Sequence, residues 1–468
     1  MLPDEVFEGG ILVIQVHGLR AKWVLAHDGR QPAILDDATV VIDGSTIAAI
    51  LSPDQPQPPL MRDLGESLLM PGLINAHSHC VSGPLFRGVM EDRQYESQGQ
   101  LIDRVMIPLG EIVTELCDED DIRKIAALGQ LEVLKSGTTM IIDMPRAGHD
   151  GFGLAVREIG LRAYVHPFLA SPTGASWAWN DGADSGVEHV LATFHRWHAR
   201  FDQGSSGRVR VGLGPLAPNH CTPSLLRGIA RTRDAMNAAV TVHLAQSPEE
   251  IALITDRFGM SSVVYLDRLG LLQPGLIAAH CVFASPEDLR LMAARGVAVA
   301  HCPLAYARLG TLAARSRFTA EGVTALIGTD AHAHDLLADV RLASINSKYD
   351  SKRQGAANAW ELITAVTEGA AEVIGRDDLG RIAPGAQADL VAYRLDGAHV
   401  QPVHDPVTTL VWNGSGRDTG FVMVAGEVLV EDGRFTRFRE QDIIAAGSAT
   451  IGRAWARAVE RNIIERRR

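Results

Sequence analysis

The stretch Leu69-Met70-Pro71-Gly72-Leu73-Ile74-Asn75-Ala76-His77-Ser78-His79 decides how this chain is read, because an apolar run delivers two imidazoles, one residue apart, to the point where the run ends. On a strand, residues two apart face the same side. His77 and His79 can therefore grip one metal ion, with Asn75 below them on that face. Taken alone, the pair fits two surface histidines equally well. Four runs further along the chain tip the balance: Val240-Thr241-Val242-His243, Ile277-Ala278-Ala279-His280, Val297-Ala298-Val299-Ala300-His301 and Ala325-Leu326-Ile327-Gly328-Thr329-Asp330 each end a short apolar segment on a metal-competent or proton-carrying side chain.

These runs belong to a longer alternation. Strand-like segments near Thr138 to Asp143, Arg162 to Phe168 and Val209 to Gly214 come after amphipathic helical stretches, giving about eight strand-helix units in all, the number that closes a (β/α)8 barrel. The expected fold is α/β, a barrel over 71–383 with ligands at the carboxyl ends of its strands. Before Pro71 the chain reads as short β-branched strands with Gly and Asp punctuation, and a matching pattern returns after Pro384. One small β-sandwich built from 1–70 and 384–440 is expected, then a terminal helix over 441–468, with a further helix over Ala359 to Ile374.

Composition narrows the function. The chain has 468 residues with 46% hydrophobic content, enough for a sizeable core, and a formal net charge of -12, which disfavours nucleic acid and anionic membranes as partners. It shows no secretory leader pattern and no apolar stretch long enough to span a bilayer, so a cytoplasmic enzyme with a small-molecule substrate is expected. The five cysteines, Cys80, Cys117, Cys221, Cys281 and Cys302, lack CxxC spacing and read as buried thiols.

PGLINAHSH, the His243 strand, AHCV, the HCP strand, GTD and the late PGAQADLV resemble, in that order, the amidohydrolase superfamily over almost the whole chain. Within it the chain resembles the branch of cytosine and S-adenosylhomocysteine deaminases and triazine hydrolases. That resemblance implies one divalent metal held by His77, His79, His243 and Asp330. The three-imidazole, one-carboxylate set suits zinc, with cobalt, manganese or iron as alternatives. No lysine ends the fourth strand at Gly212-Leu213-Gly214-Pro215, so a two-metal site is not implied. Asp330 is expected to move the proton of a metal-bound hydroxide, and His280 to orient it and stabilise the oxyanion. Oligomers are common in the family, so a homo-oligomer is expected by analogy.

Two departures from the branch matter. Gln246 stands where deaminases carry a proton-shuttling glutamate, and Leu216 lies where a pocket histidine is usual. Glu249 or Glu250 offers itself as a substitute acid. Without a shuttle, hydrolysis of a urea, carbamate, thiocarbamate or amide carbonyl fits better than ring deamination, and with Phe86, Phe168 and Trp177 as apolar pocket residues the chain looks most similar to phenylurea and molinate (thiocarbamate) hydrolases. The competing expectations are a deaminase or dechlorinase of a nucleobase or s-triazine ring, and a barrel scaffold without catalysis. His301 reads equally as orienter, substrate contact or ordinary strand-end histidine. His332 and His334 read as loop histidines or as groups that reach the site, Arg87 as a surface charge or a carboxylate binder, and Asp143 as an anchor for a ligand histidine or a loop backbone.

Overall fold

The computed structural model describes residues 5–8, 11–14, 16–92, 98–146, 149–171, 186–204 and 207–465. Eight short apolar segments form parallel strands: β1 (Leu73–Ser78), β2 (Thr138–Asp143), β3 (Arg162–Val165), β4 (Val209–Val211), β5 (Val240–Leu244), β6 (Leu276–His280), β7 (Ala298–His301) and β8 (Thr324–Ile327). They pair in two ladders, β1 to β4 and β5 to β8. Parallel bridges Leu213↔Val240 and Ser78↔Asp330 join the ladders and close the barrel. Such strands are apolar almost throughout because helices cover the outside and side chains fill the inside. Ile74, Ala76, Met140, Ile142, Tyr164, Ile277, Ala300 and Leu326 pack together with Ala370 and Leu379 as one interior layer.

The seam between β1 and β8 depends on two glycines. A Cβ on Gly328 would lie 2.7 Å from the backbone nitrogen and oxygen of His77, and one on Gly129 would lie 2.0 Å from the Cys80 carbonyl oxygen. The first lets β8 run against β1. The second lets the helix Glu119–Lys135, whose Asp118 cap accepts from the Asp121 amide, sit directly on the end of the His77-Ser78-His79 run.

Both chain ends meet in one sheet. Its strands run in the order Arg434–Phe435, Glu427–Glu431, Thr419–Val424, Leu390–Arg394, Ser67–Pro71, Trp23–His27 and Pro32–Asp36, and a four-stranded sheet from the N-terminal part packs over it. Leu19, Val24, Val40, Ile47, Leu69, Leu390, Phe421 and Met423 form the core between the two. Ser67–Pro71 pairs antiparallel with Leu390–Arg394 and leads into β1. Arg162, at the start of β3, ties this sheet to the barrel by a buried two-pronged pair with Asp389, at 2.5 and 3.0 Å.

The helix expected over Ala359 to Ile374 is two helices, Ala359–Ala365 and Glu368–Val373. The break at Val366 and Thr367 frees the Val366 carbonyl to accept from the Ile74 amide at 2.7 Å, so the interruption serves β1. The final helix, Glu440–Glu460, lies on Glu119–Lys135 through Lys135–Glu440 and Arg453–Asp121 pairs, each 2.6 Å. All five thiols are free. No helix among the described residues is long and apolar enough to cross a membrane.

Candidate metal centre

The histidine pair reaches the barrel mouth by a departure from regular alternation. Asn75 pairs with Ile141 and Ser78 with Asp143, so three steps along β1 match two along β2. This bulge re-aims the strand end. Asn75 ties this strand to the segment that follows β8. Its amide bridges sideways, donating to Thr329 Oγ1 at 2.8 Å and accepting from the Thr329 and His77 amides at 3.2 and 3.3 Å. Asp143 then clamps the exit of the strand by accepting from Ser78 Oγ and the Cys80 amide, both at 2.8 Å. Of the two anchoring tasks open to it, it holds the backbone. Burial pushes its carboxyl up to about 7, against the pull of the Cys80 amide.

His77, His79, His243, His280 and Asp330 converge here. One candidate ligand atom each from His77, His79 and Asp330 lie within 4.8 Å of one another, as do those of His77, His243 and His280. Asp330 Oδ1 is 3.4 Å from His79 Nε2 and 3.9 Å from His77 Nε2, while Oδ2 is 4.0 Å from the Nε2 atoms of His280 and His332. His280 and Asp330 hold left-handed backbones, φ 77° and 58°, at strand ends where such conformations store about 1–3 kcal/mol each.

The donor set fits a cation. His79 Nδ1 lies 2.6 Å from the Met144 carbonyl and His243 Nδ1 2.6 Å from the Leu216 carbonyl. A carbonyl only accepts, so both Nδ1 atoms carry hydrogens and both Nε2 atoms present lone pairs. Those lone pairs face each other at 3.3 Å with no proton to share. Among the described residues His77 has no hydrogen-bond partner on either ring nitrogen, although the residue is 0% exposed. Burial first, then the neighbouring imidazoles, holds His77 well below the usual histidine range, and burial brings His243 to about 4. The imidazoles are neutral and metal-competent, while burial lifts Asp330 to about 6. A divalent ion would supply the positive charge that this cluster lacks.

The remaining predicted residues divide. Phe168 belongs to the pocket wall, its ring 5.6 Å from that of His79 and 6.0 Å from that of His243. Leu216, half-buried, contributes through its carbonyl. Gln246 is 8% exposed, and its backbone is held from two sides, its carbonyl accepting from Tyr306 Oη at 2.9 Å and its amide donating to Glu250 at 3.0 Å. Glu250 spends its second oxygen on the Ala245 amide at 2.9 Å, and Glu249 is exposed beside Gly99. Glu250 is therefore a loop clamp and no substitute acid. His332 touches the cluster through Asp330. His334 is buried against Thr329 Oγ1 at 3.1 Å, and His301 packs on Phe318 with ring centroids 5.6 Å apart. Phe86 is wholly buried in the main apolar core. Arg87 pairs with Glu132 at 2.5 Å on the surface. Trp177 lies outside the described residues.

Sequence reasoning passed over three groups near the cluster. Arg146 comes after β2, His166 after β3, and His220 ends the short helix Pro218–His220 after β4. The charges of His166 and Arg146 bear on the cluster, the first on His77 and the second on His79, His243 and Asp330. His220 in turn is held low, to about 3, by burial and then by Arg146 and His243. Their signal was positional, since each lies just beyond the carboxyl end of a barrel strand.

Comparison with known proteins agrees with this geometry. The sequence profile of the Amidohydrolase family matches residues 68–429. The chain is 32% identical to 5'-deoxyadenosine deaminase of Methanopyrus kandleri over 82% of its own length and 86% of the relative's. It is 30% identical to 5-methylthioadenosine/S-adenosylhomocysteine deaminase of Nitratidesulfovibrio vulgaris over 94% and 96% of the two chains. Among solved structures it is similar to atrazine chlorohydrolase TrzN from Arthrobacter aurescens TC1 complexed with zinc, with a TM-score of 0.83 and 25% identity over 93% of this chain and 99% of that one.

Proposed function

Since the chain belongs to the amidohydrolase family, whose members use metal to cleave carbon–nitrogen bonds, we propose that it hydrolytically displaces an amine or comparable leaving group from a carbon of a nitrogen-rich aromatic ring. The observation that carries this reading is the convergence of His77, His79, His243 and Asp330 on one point at the barrel mouth, in a chain whose relatives include adenosine-type deaminases and a triazine chlorohydrolase. The expectation of phenylurea or molinate hydrolysis finds no counterpart among those relatives, so the ring reading takes precedence over it.

His77, His79, His243 and Asp330 would hold the metal, which when bound supplies a nucleophile at neutral pH by lowering the pKa of water to about 7 and polarises the attacked bond. Asp330 faces the cluster with one oxygen and His280 and His332 with the other. It is placed to take a proton from the attacking water and return it to the leaving group. His280 is placed to orient that water and to stabilise developing negative charge. Gln246 can donate a hydrogen bond to a ring nitrogen but cannot deliver a proton, which leaves Asp330 as the proton carrier.

Gln246 also favours a second reading, attack on a urea, carbamate, thiocarbamate or amide carbonyl, because that chemistry needs no ring protonation. The metal-loaded protein should be assayed against ring amines, halotriazines, phenylureas and thiocarbamates, with ammonia, halide and aniline or thiol release measured. Release from ring substrates is expected, and Gln246→Glu is expected to raise ammonia release from ring amines by about 10²-fold. Turnover confined to ureas or thiocarbamates would overturn the first reading in favour of the second.

A further inference from the structure

The pocket wall carries a cation that forms no ion pair among the described residues. The Arg146 guanidinium carbon lies 5.2 Å from the centre of the Phe168 ring, which itself abuts His79 and His243. Arg146 Nε is buried and has no hydrogen-bond partner among the described residues. Burial pulls its pKa down to about 10, so it stays charged at neutral pH. Other arginines near the mouth or at the sheet are matched: Arg308 to Glu91 at 3.1 Å, Arg87 to Glu132 at 2.5 Å and Arg162 to Asp389 at 2.5 Å. Asp330, the carboxylate whose charge Arg146 senses, is turned to the histidine cluster.

Arg146 is half-buried, and a cation that is partly withdrawn from water with its Nε unpartnered among the described residues is stabilised by a ligand that brings negative charge. A guanidinium is a planar fork matched to a carboxylate, and its stacking on Phe168 leaves its edge for such a pair. A phosphate, with a charge near -2, asks for more positive charge than this one free group offers.

We infer that Arg146 determines specificity in this pocket by pairing with a carboxylate on the substrate, whose ring lies against Phe168 within reach of the histidine cluster. This rests on the reading of the site as a ring hydrolase and narrows it to carboxylate-bearing rings. The same charge so close to Asp330 disfavours cationic substrates.

The test compares isonicotinate with isonicotinamide, a pair that differs mainly in charge, as ligands of the metal-loaded protein. Binding is measured by calorimetry for the wild type, Arg146→Met and Arg146→Lys, each checked for metal content. The wild type should bind the carboxylate about tenfold or more tighter than the amide. Arg146→Met should erase that preference while leaving isonicotinamide affinity unchanged, and Arg146→Lys should keep part of it. Equal wild-type affinities would overturn the inference. So would a preference that survives Arg146→Met, since the carboxylate would then sit on the metal. Because binding is read apart from turnover, loss of the preference in Arg146→Met upholds the anion site even where no ring substrate is hydrolysed. That second result sinks the ring-hydrolase reading alone.

Discussion

The floor of the site and its wall hold their side chains by different means. On the floor, His79 and His243 are each locked by a carbonyl at 2.6 Å, and the end of the His77 strand is braced by Asn75, Thr329 and Asp143. On the wall, Arg146 rests on the face of Phe168 and Gln246 is held through its backbone. The His77 strand is pinned by contacts that also close the barrel between β1 and β8, and His79 and His243 by backbone carbonyls just past other strands, so the floor is held by main-chain positions. The wall comes from the loops beyond the strand ends, where side chains can change without cost to the barrel. On the proposed function, reaction type would reside in the floor and substrate choice in the wall.

The largest expected effect breaks the floor at its proposed proton carrier. Asp330→Asn should lower turnover on the order of 10³-fold or more, with elemental analysis separating loss of metal from loss of the carrier. Full activity in this variant would remove Asp330 from the chemistry. A smaller effect is expected one layer back. Asp143→Ala leaves the Ser78 hydroxyl and Cys80 amide without their acceptor and should weaken metal affinity about 10–100-fold in chelator competition, because such outer partners orient the ligands. Unchanged affinity would mean that the bulge alone positions His77 and His79.

The smallest effect concerns the wall. Burial raises Glu250 from its ordinary 4.5 to about 7, against the pull of the amides it accepts from. Between those two values the folded protein keeps a proton that the unfolded chain has lost, so stability falls as pH rises through that window and levels off above it. Glu250→Gln should flatten this decline, worth at most about 1.4 kcal/mol per pH unit, in melting curves taken from pH 4.5 to 7. An unaltered slope would place its origin in other buried acids, such as Asp143.

Much of the floor was readable because each of its groups ends an apolar run, a pattern visible one segment at a time. The bulge was not readable, because it depends on how β1 registers with β2, and no single strand reveals its own register. Arg146 and His166 escaped notice for a related reason. Both lie a little beyond the last strand residue, outside the periodic pattern, and only the assembled mouth puts them near His77 and His79. Glu250 stood as a candidate acid until its contacts were seen, since three or four residues of helix start can aim a carboxylate at the pocket or back at its own loop.

By itself, the order of apolar runs and their terminal residues determined an α/β barrel of the amidohydrolase kind, with its chemistry at the strand ends, because burial and period-two alternation are local properties that a chain carries in its composition. Only the tertiary structure decided that His79 and His243 face each other with bare lone pairs, that Glu250 serves the loop, and that Arg146 Nε has no partner among the described residues. Those facts are relations between segments far apart in the chain, and they come into being when the barrel closes.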